Sequence, residues 1–135
     1  MADLRQLLLL IGRSDMDNKK IATQFLESVV KGKIDEAYDK FVDFKGKHHN
    51  MFFPAGFDKL CNAMKDAHIQ FPKKKFTIKN IFGEDDMIAI HSHIMFGVHN
   101  IAVVHMFRFE KGKIVEMWDC GQEIPKNMPN KDGAF

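Results

Sequence analysis

Phe107-Arg108-Phe109-Glu110-Lys111-Gly112-Lys113-Ile114-Val115-Glu116-Met117-Trp118-Asp119 decides the fold, because two runs of alternating apolar and polar residues meet there at a turn. Alternation with period two marks a half-buried strand. Glu110-Lys111-Gly112 reads as a three-residue hairpin loop, a type I turn with Gly112 in the left-handed position, which sets Phe109 opposite Lys113. Counting back from there, Val103 faces Asp119 and His105 faces Met117. A slip of one residue would send every side chain to the other side of the sheet, so the turn decides what lies inside.

Working outward, the period-two pattern begins at Phe76, and Gly83, Gly97 and Gly112 punctuate it. The reading is four strands over about 75–82, 87–96, 101–109 and 113–120. A loop over Gly97 to Asn100 sets Phe96 opposite Ile101, Ile94 opposite Val103 and Ser92 opposite His105. One face then carries Ile88, Ile90, Ser92, Ile94 and Phe96, Ile101, Val103, His105, Phe107 and Phe109, and Val115, Met117 and Asp119. It is apolar except for Ser92, His105 and Asp119, which fall together as direct or diagonal neighbours. The other face carries His91, His93, Val104, Met106, Ile114, Glu116 and Trp118. An exposed patch of Val104, Met106 and Trp118 is one a soluble monomer seldom tolerates. That face is expected to form a homodimer interface, with a covering loop or the chain's tail as the alternative.

The first half has helical spacing instead. Ile21, Phe25, Leu26 and Val29 form one stripe in a helix from Ser14 to Val30, with Asp15 or Asp17 as cap and Gly32 as stop. A second helix is expected around Ile34 to Val42, and a third starts near Gly56 with Phe57, Leu60, Cys61 and Met64 on one side. Helices followed by strands without crossovers predict an α+β fold with an antiparallel sheet, as one domain over 1–135 with an irregular tail from about 122. Lys plus Arg at 20 against Asp plus Glu at 18 leaves a net charge of +2, and Lys73-Lys74-Lys75 has no interleaved aromatics, so nucleic-acid binding is not expected. The run Leu7-Leu8-Leu9-Leu10-Ile11 is too short to span a bilayer and reads, with Leu4, as a short docked helix. Cys61 and Cys120 sit in patterns that read as buried and form no C-x-x-C pair, which points to a reducing, cytoplasmic setting.

A carboxylate or imidazole on an apolar face is unfavourable without partners, so His105 and Asp119 must find hydrogen bonds or a ligand. The quoted hairpin from Phe107 to Asp119 resembles the terminal hairpin of SnoaL-like polyketide cyclases, members of the nuclear transport factor 2 superfamily. His49-Asn50 followed by Pro54 and Gly56 resembles the His-Asn-Pro and Gly signature before the third helix of that family. The resemblance implies a cone-shaped α+β barrel, with helices closing the concave sheet face, and a dimer through the outer face.

It also implies that Asp119 is the catalytic acid/base of an aldol-type closure, and that His105 stands where related isomerases place an acid donating to the enolate oxygen. His105 departs from that pattern by being an imidazole. The isomerases' tyrosine has no obvious counterpart, since Tyr38 is on the second helix. Proton removal beside a carbonyl needs a base and a donor for the developing oxyanion. The expectation is therefore catalysis without cofactor on a small apolar carbonyl compound, by cyclisation, isomerisation or dehydration. His49 and Asn50 would contact substrate at the mouth, and Ser92, Val103, Phe107 and Met117 would line the pocket. The alternative is a non-catalytic binding or dimerisation module of the same fold. His91-Ser92-His93 has a spacing that metal sites use, but no carboxylate follows at the spacing of a cupin metal set, so no metal is expected.

Overall fold

A computed structural model describes residues 18–135. The docked N-terminal helix and the Asp15 or Asp17 cap lie outside the described residues. Helix α1, described over 18–30, buries Ala22, Phe25 and Leu26. It ends in a Schellman motif: Gly32, at φ 88, donates its N–H to the Val29 carbonyl at 3.0 Å, and Lys33 donates to Ser28 at 2.9 Å. Helix α2 (Ile34–Phe41) buries Ile34, Ala37, Tyr38 and Phe41, the offsets of a single helical stripe. Helix α3 (Phe57–Gln70) buries Phe57, Leu60 and Cys61, with Met64 packed beside them.

Five strands follow the order β1-β5-β4-β3-β2 across one sheet. They are β1 (Val42–His48), β2 (Lys75–Glu84), β3 (Met87–Phe96), β4 (His99–Glu110) and β5 (Lys113–Glu123). The α+β class and the four C-terminal strands are as read from the sequence. The sheet is mixed, however, because β1 pairs in parallel with β5 while the other pairs are antiparallel. Strand β1 was not expected: Val42-Asp43-Phe44-Lys45-Gly46-Lys47-His48 buries only its two ends and lacks alternation. Gly46 lets it approach β5, since a Cβ there would stand 2.1 Å from the Val115 carbonyl oxygen.

Both hairpins differ from the expected register. The β3–β4 turn has two residues, Gly97 and Val98, with Gly97 at φ 56, so Ser92 pairs with Val103 and Ile90 with His105. The β4–β5 turn also has two, Lys111 at φ 50 and Gly112 at φ 76, the signs of a type I′ turn. Glu110 thus pairs with Lys113 and Phe109 with Ile114, but Arg108 pairs with Glu116, leaving Val115 as the extra residue of a β-bulge. Beyond the bulge His105 lies directly opposite Asp119, not opposite Met117, and Ile114 moves from the expected outer face into the core.

The helices pack on the inner sheet face, where Phe25 meets Phe107 edge-on at 6.0 Å and Tyr38 at 5.2 Å. Ile88, Ile90, Phe107, Phe109, Ile114 and Met117 complete that core from the sheet. On the outer face Phe135 lies 5.2 Å from the His91 ring and 5.0 Å from the His93 ring, so the tail covers that part of the sheet. Cys120, expected to be buried, is exposed on β5, while Cys61 is buried. Among the described residues no helix is long and apolar enough to cross a membrane.

Candidate functional site

The β4–β5 pairing brings His105 and Asp119 side by side on the inner face. His105 Nε2 stands 3.3 Å from Asp119 Oδ1, and each side chain is about one-fifth exposed, at 19% and 20%. The contact lacks hydrogen-bond alignment, so Asp119 Oδ1 is buried without a partner among the described residues, and the other ring nitrogen, His105 Nδ1, is buried without one too. Ser92 Oγ, one diagonal step away on β3, is a third such atom, on a side chain that is fully buried. Three unpaired polar atoms on one apolar face are unfavourable by about 1–3 kcal/mol each unless something else meets them.

The second carboxylate oxygen is satisfied. Asn50 Nδ2 donates to Asp119 Oδ2 at 2.6 Å, and Asn50 Oδ1 accepts the Phe52 N–H at 3.1 Å, which fixes which end of the amide faces the acid. Asn50 was expected to touch substrate; the structure places it on the acid. His49 and Asn50 were expected together at the pocket mouth, but the chain separates them. His49 turns to the outer face, stacks on Trp118 at 5.1 Å and meets Glu116 Oε2 at 2.6 Å. Glu116 also accepts from Arg108 Nε at 3.1 Å, and these partners, His49 first, hold its carboxyl below the usual carboxylate range.

Val103 is buried opposite Ser92, Phe107 is fully buried with its ring stacked 6.2 Å from that of His105, and Met117 is buried in the core. His48 is buried, at 8% exposure. Tyr38 is the residue that sequence reasoning set aside. Its phenol is pushed far up by burial, with the charge of Cys61 and then of Asp119 adding to the effect, so it stays protonated. Its place in the α2 stripe reads as packing and gave no signal of a role at the site. Two clefts open elsewhere, of about 360 Å³ between α1 and α2 and about 350 Å³ beside the β3–β4 turn, and neither is lined by His105 or Asp119.

His91 Nδ1 is 3.2 Å from Asn80 Nδ2, and His93 Nε2 meets Asn100 Oδ1, so both imidazoles have amide partners besides the Phe135 ring. No group of three or more His, Cys, Asp or Glu able to hold a metal ion occurs among the described residues.

The fold has many solved counterparts at low identity. AclR of Streptomyces galilaeus superposes with a TM-score of 0.70 at 17% identity, over 81% of this chain and 91% of that one. An NTF-2-like protein of Burkholderia xenovorans LB400 gives 0.71 at 16%, over 87% and 91%. A LEH-like epoxide hydrolase of M. tuberculosis gives 0.65 at 13%, over 80% and 84%. At these identities the likeness is one of fold. No curated protein sequence matches the chain. The SnoaL-like polyketide cyclase model matches residues 20–126, and the chain therefore belongs to that family.

Proposed function

We propose that this protein is a cofactor-independent acid/base catalyst that removes a proton beside the carbonyl of a small, mostly apolar compound, leading to cyclisation, isomerisation or dehydration. The observation that carries the reading is the cross-strand His105–Asp119 contact, whose Oδ1 and Nδ1 have no partners among the described residues on a face that is apolar apart from them and Ser92. Asn50 occupies Oδ2, so Oδ1 is the oxygen with an open lone pair. It takes the proton from carbon.

A hydrogen on His105 Nε2 suits the side that faces the carboxylate, 3.3 Å away without hydrogen-bond alignment, whereas the other tautomer would oppose a lone pair to it. His105 in this role orients Asp119 and leaves Nδ1 as an acceptor for a substrate hydroxyl. The enolate oxygen needs a donor, and Tyr38, buried against Phe25 and Phe57 and kept protonated by that burial, is suited to supply it. Ser92 and Val103 would contact the ligand from β3 and β4, with Phe107 and Met117 beneath.

The test is exchange of α-hydrogens for deuterium in D2O, followed by proton NMR on a panel of 1,3-diketones and β-keto esters. The expected result is catalysed exchange that falls by on the order of a hundredfold or more in Asp119→Asn. Unchanged exchange in that variant would remove Asp119 from the role. Ligand binding without exchange in the parent would leave a binding module.

A further inference from the structure

His48 ends β1, two residues before the amide that holds the acid, and its ring is anchored at both nitrogens. Nε2 lies 2.8 Å from the Pro54 carbonyl oxygen. A carbonyl only accepts, so Nε2 carries the hydrogen and donates it. The neutral ring then presents a lone pair at Nδ1, and the Asn50 N–H donates to it at 3.1 Å. This reproduces an Asx-turn, in which a side chain accepts the N–H two residues on. The same loop is tied to β5 by the His49 N–H, which donates to the Met117 carbonyl at 2.8 Å. Asn50 is therefore held at its backbone by His48 and at its Oδ1 by Phe52, with only its Nδ2 directed at Asp119.

We infer that His48 is a positioning residue of the site, working as the Nε2–H tautomer to hold Asn50 so that its amide keeps Asp119 Oδ2 occupied and Oδ1 open. This rests on the reading of Asp119 as the acid/base. No hydrogen bond or ion pair joins His48 to Asp119 among the described residues; its ring packs 6.2 Å from that of Phe57, and it acts on the acid through the loop. Its two bonds can be separated by substitution. In His48→Asn the side-chain oxygen falls where Nδ1 was and keeps the acceptor for Asn50, losing Pro54. In His48→Gln the longer amide reaches Pro54 but offers nothing to the Asn50 N–H.

Three readouts test this. In the parent, nitrogen-15 NMR of the histidine rings is expected to show His48 protonated at Nε2 and bare at Nδ1; the reverse tautomer overturns the proposal whatever the variants do. The Asn50 side-chain amide, shifted by its short bond to a carboxylate, is expected to keep its position in His48→Asn and to lose it in His48→Gln. An amide that stays in place in His48→Gln refutes the coupling, and this readout needs no turnover. In the deuterium-exchange assay kcat is expected to fall on the order of tenfold to a hundredfold in His48→Gln with KM little changed, and His48→Asn to recover most of it. Equal losses in both variants would mean that His48 serves only stability. Failure of Asp119→Asn to affect exchange would strike the proposed function, while leaving the tautomer and amide readouts to judge His48 alone.

Discussion

Ser92 is fully buried and its hydroxyl has no hydrogen bond among the described residues, so in the unliganded protein it is a liability. Burying an unpaired hydroxyl is unfavourable by about 1–3 kcal/mol, and removing it leaves only a small void. Ser92→Ala is accordingly expected to stabilise the protein by about 1 kcal/mol in urea unfolding, while weakening any ligand that uses the hydroxyl. A variant less stable than the parent would show that Oγ has a partner in solution. At this scale the sequence was informative about which residues are out of place and silent about their partners. Asp119 and His105 were conspicuous as polar residues in apolar alternation. Asn50, in a loop without period, was singled out only by the family resemblance, and His48 ends a strand that lacks alternation, while the bonds that define their roles reach Asp119 and Pro54. Tyr38 was hidden by a register of its own, since a tyrosine in a helical core stripe looks like packing.

The hairpins show how a wrong turn can still give the right face. The β3–β4 register differs from the expected one by two residues, which shifts partners along the strand but leaves every side chain on its side. In β4–β5 the two-residue turn alone would have reversed the faces, and the Val115 bulge reverses them again, so only Lys113 and Ile114 lie on the side opposite to that expected. A bulge has no signature in a single sequence, because nothing in Ile114-Val115 says which residue is extra. The turn itself is testable. Lys111 sits at φ 50, a left-handed conformation disfavoured for a lysine, whereas asparagine adopts it readily and Asn-Gly is the preferred type I′ pair. Lys111→Asn is expected to stabilise the hairpin by about 0.5–1 kcal/mol, read as a higher midpoint in urea with an unchanged slope. A lower midpoint would count against the turn type.

At the scale of the whole molecule, the sequence carried the class and the order of elements but not the closure of the sheet. The stripes on α1, α2 and α3 and the alternation from Phe76 onward were enough for helices packed on one face. Strand β1 was illegible because it lies at the sheet's edge and follows α2 with no turn residue between Phe41 and Val42, so the chain passes from helix to strand without punctuation. That strand is also what carries the loop of His48 and Asn50 to the acid, and so the least legible element supports the least legible half of the site.

The parallel pairing of β1 with β5 also has a consequence in time. Asn50 and Asp119 are 69 positions apart, whereas His105 reaches Asp119 across a single hairpin. Local hairpins close in microseconds, and contacts between distant segments wait for the larger loss of chain entropy to be repaid. Pulsed hydrogen exchange during refolding is expected to protect the β4 and β5 amides first and the Asn50 N–H late; simultaneous protection would contradict this order. On the ribosome both contacts wait for Asp119, but β1 is made before the strand it pairs with, and its backbone stays without that partner until the last strand of the sheet has emerged.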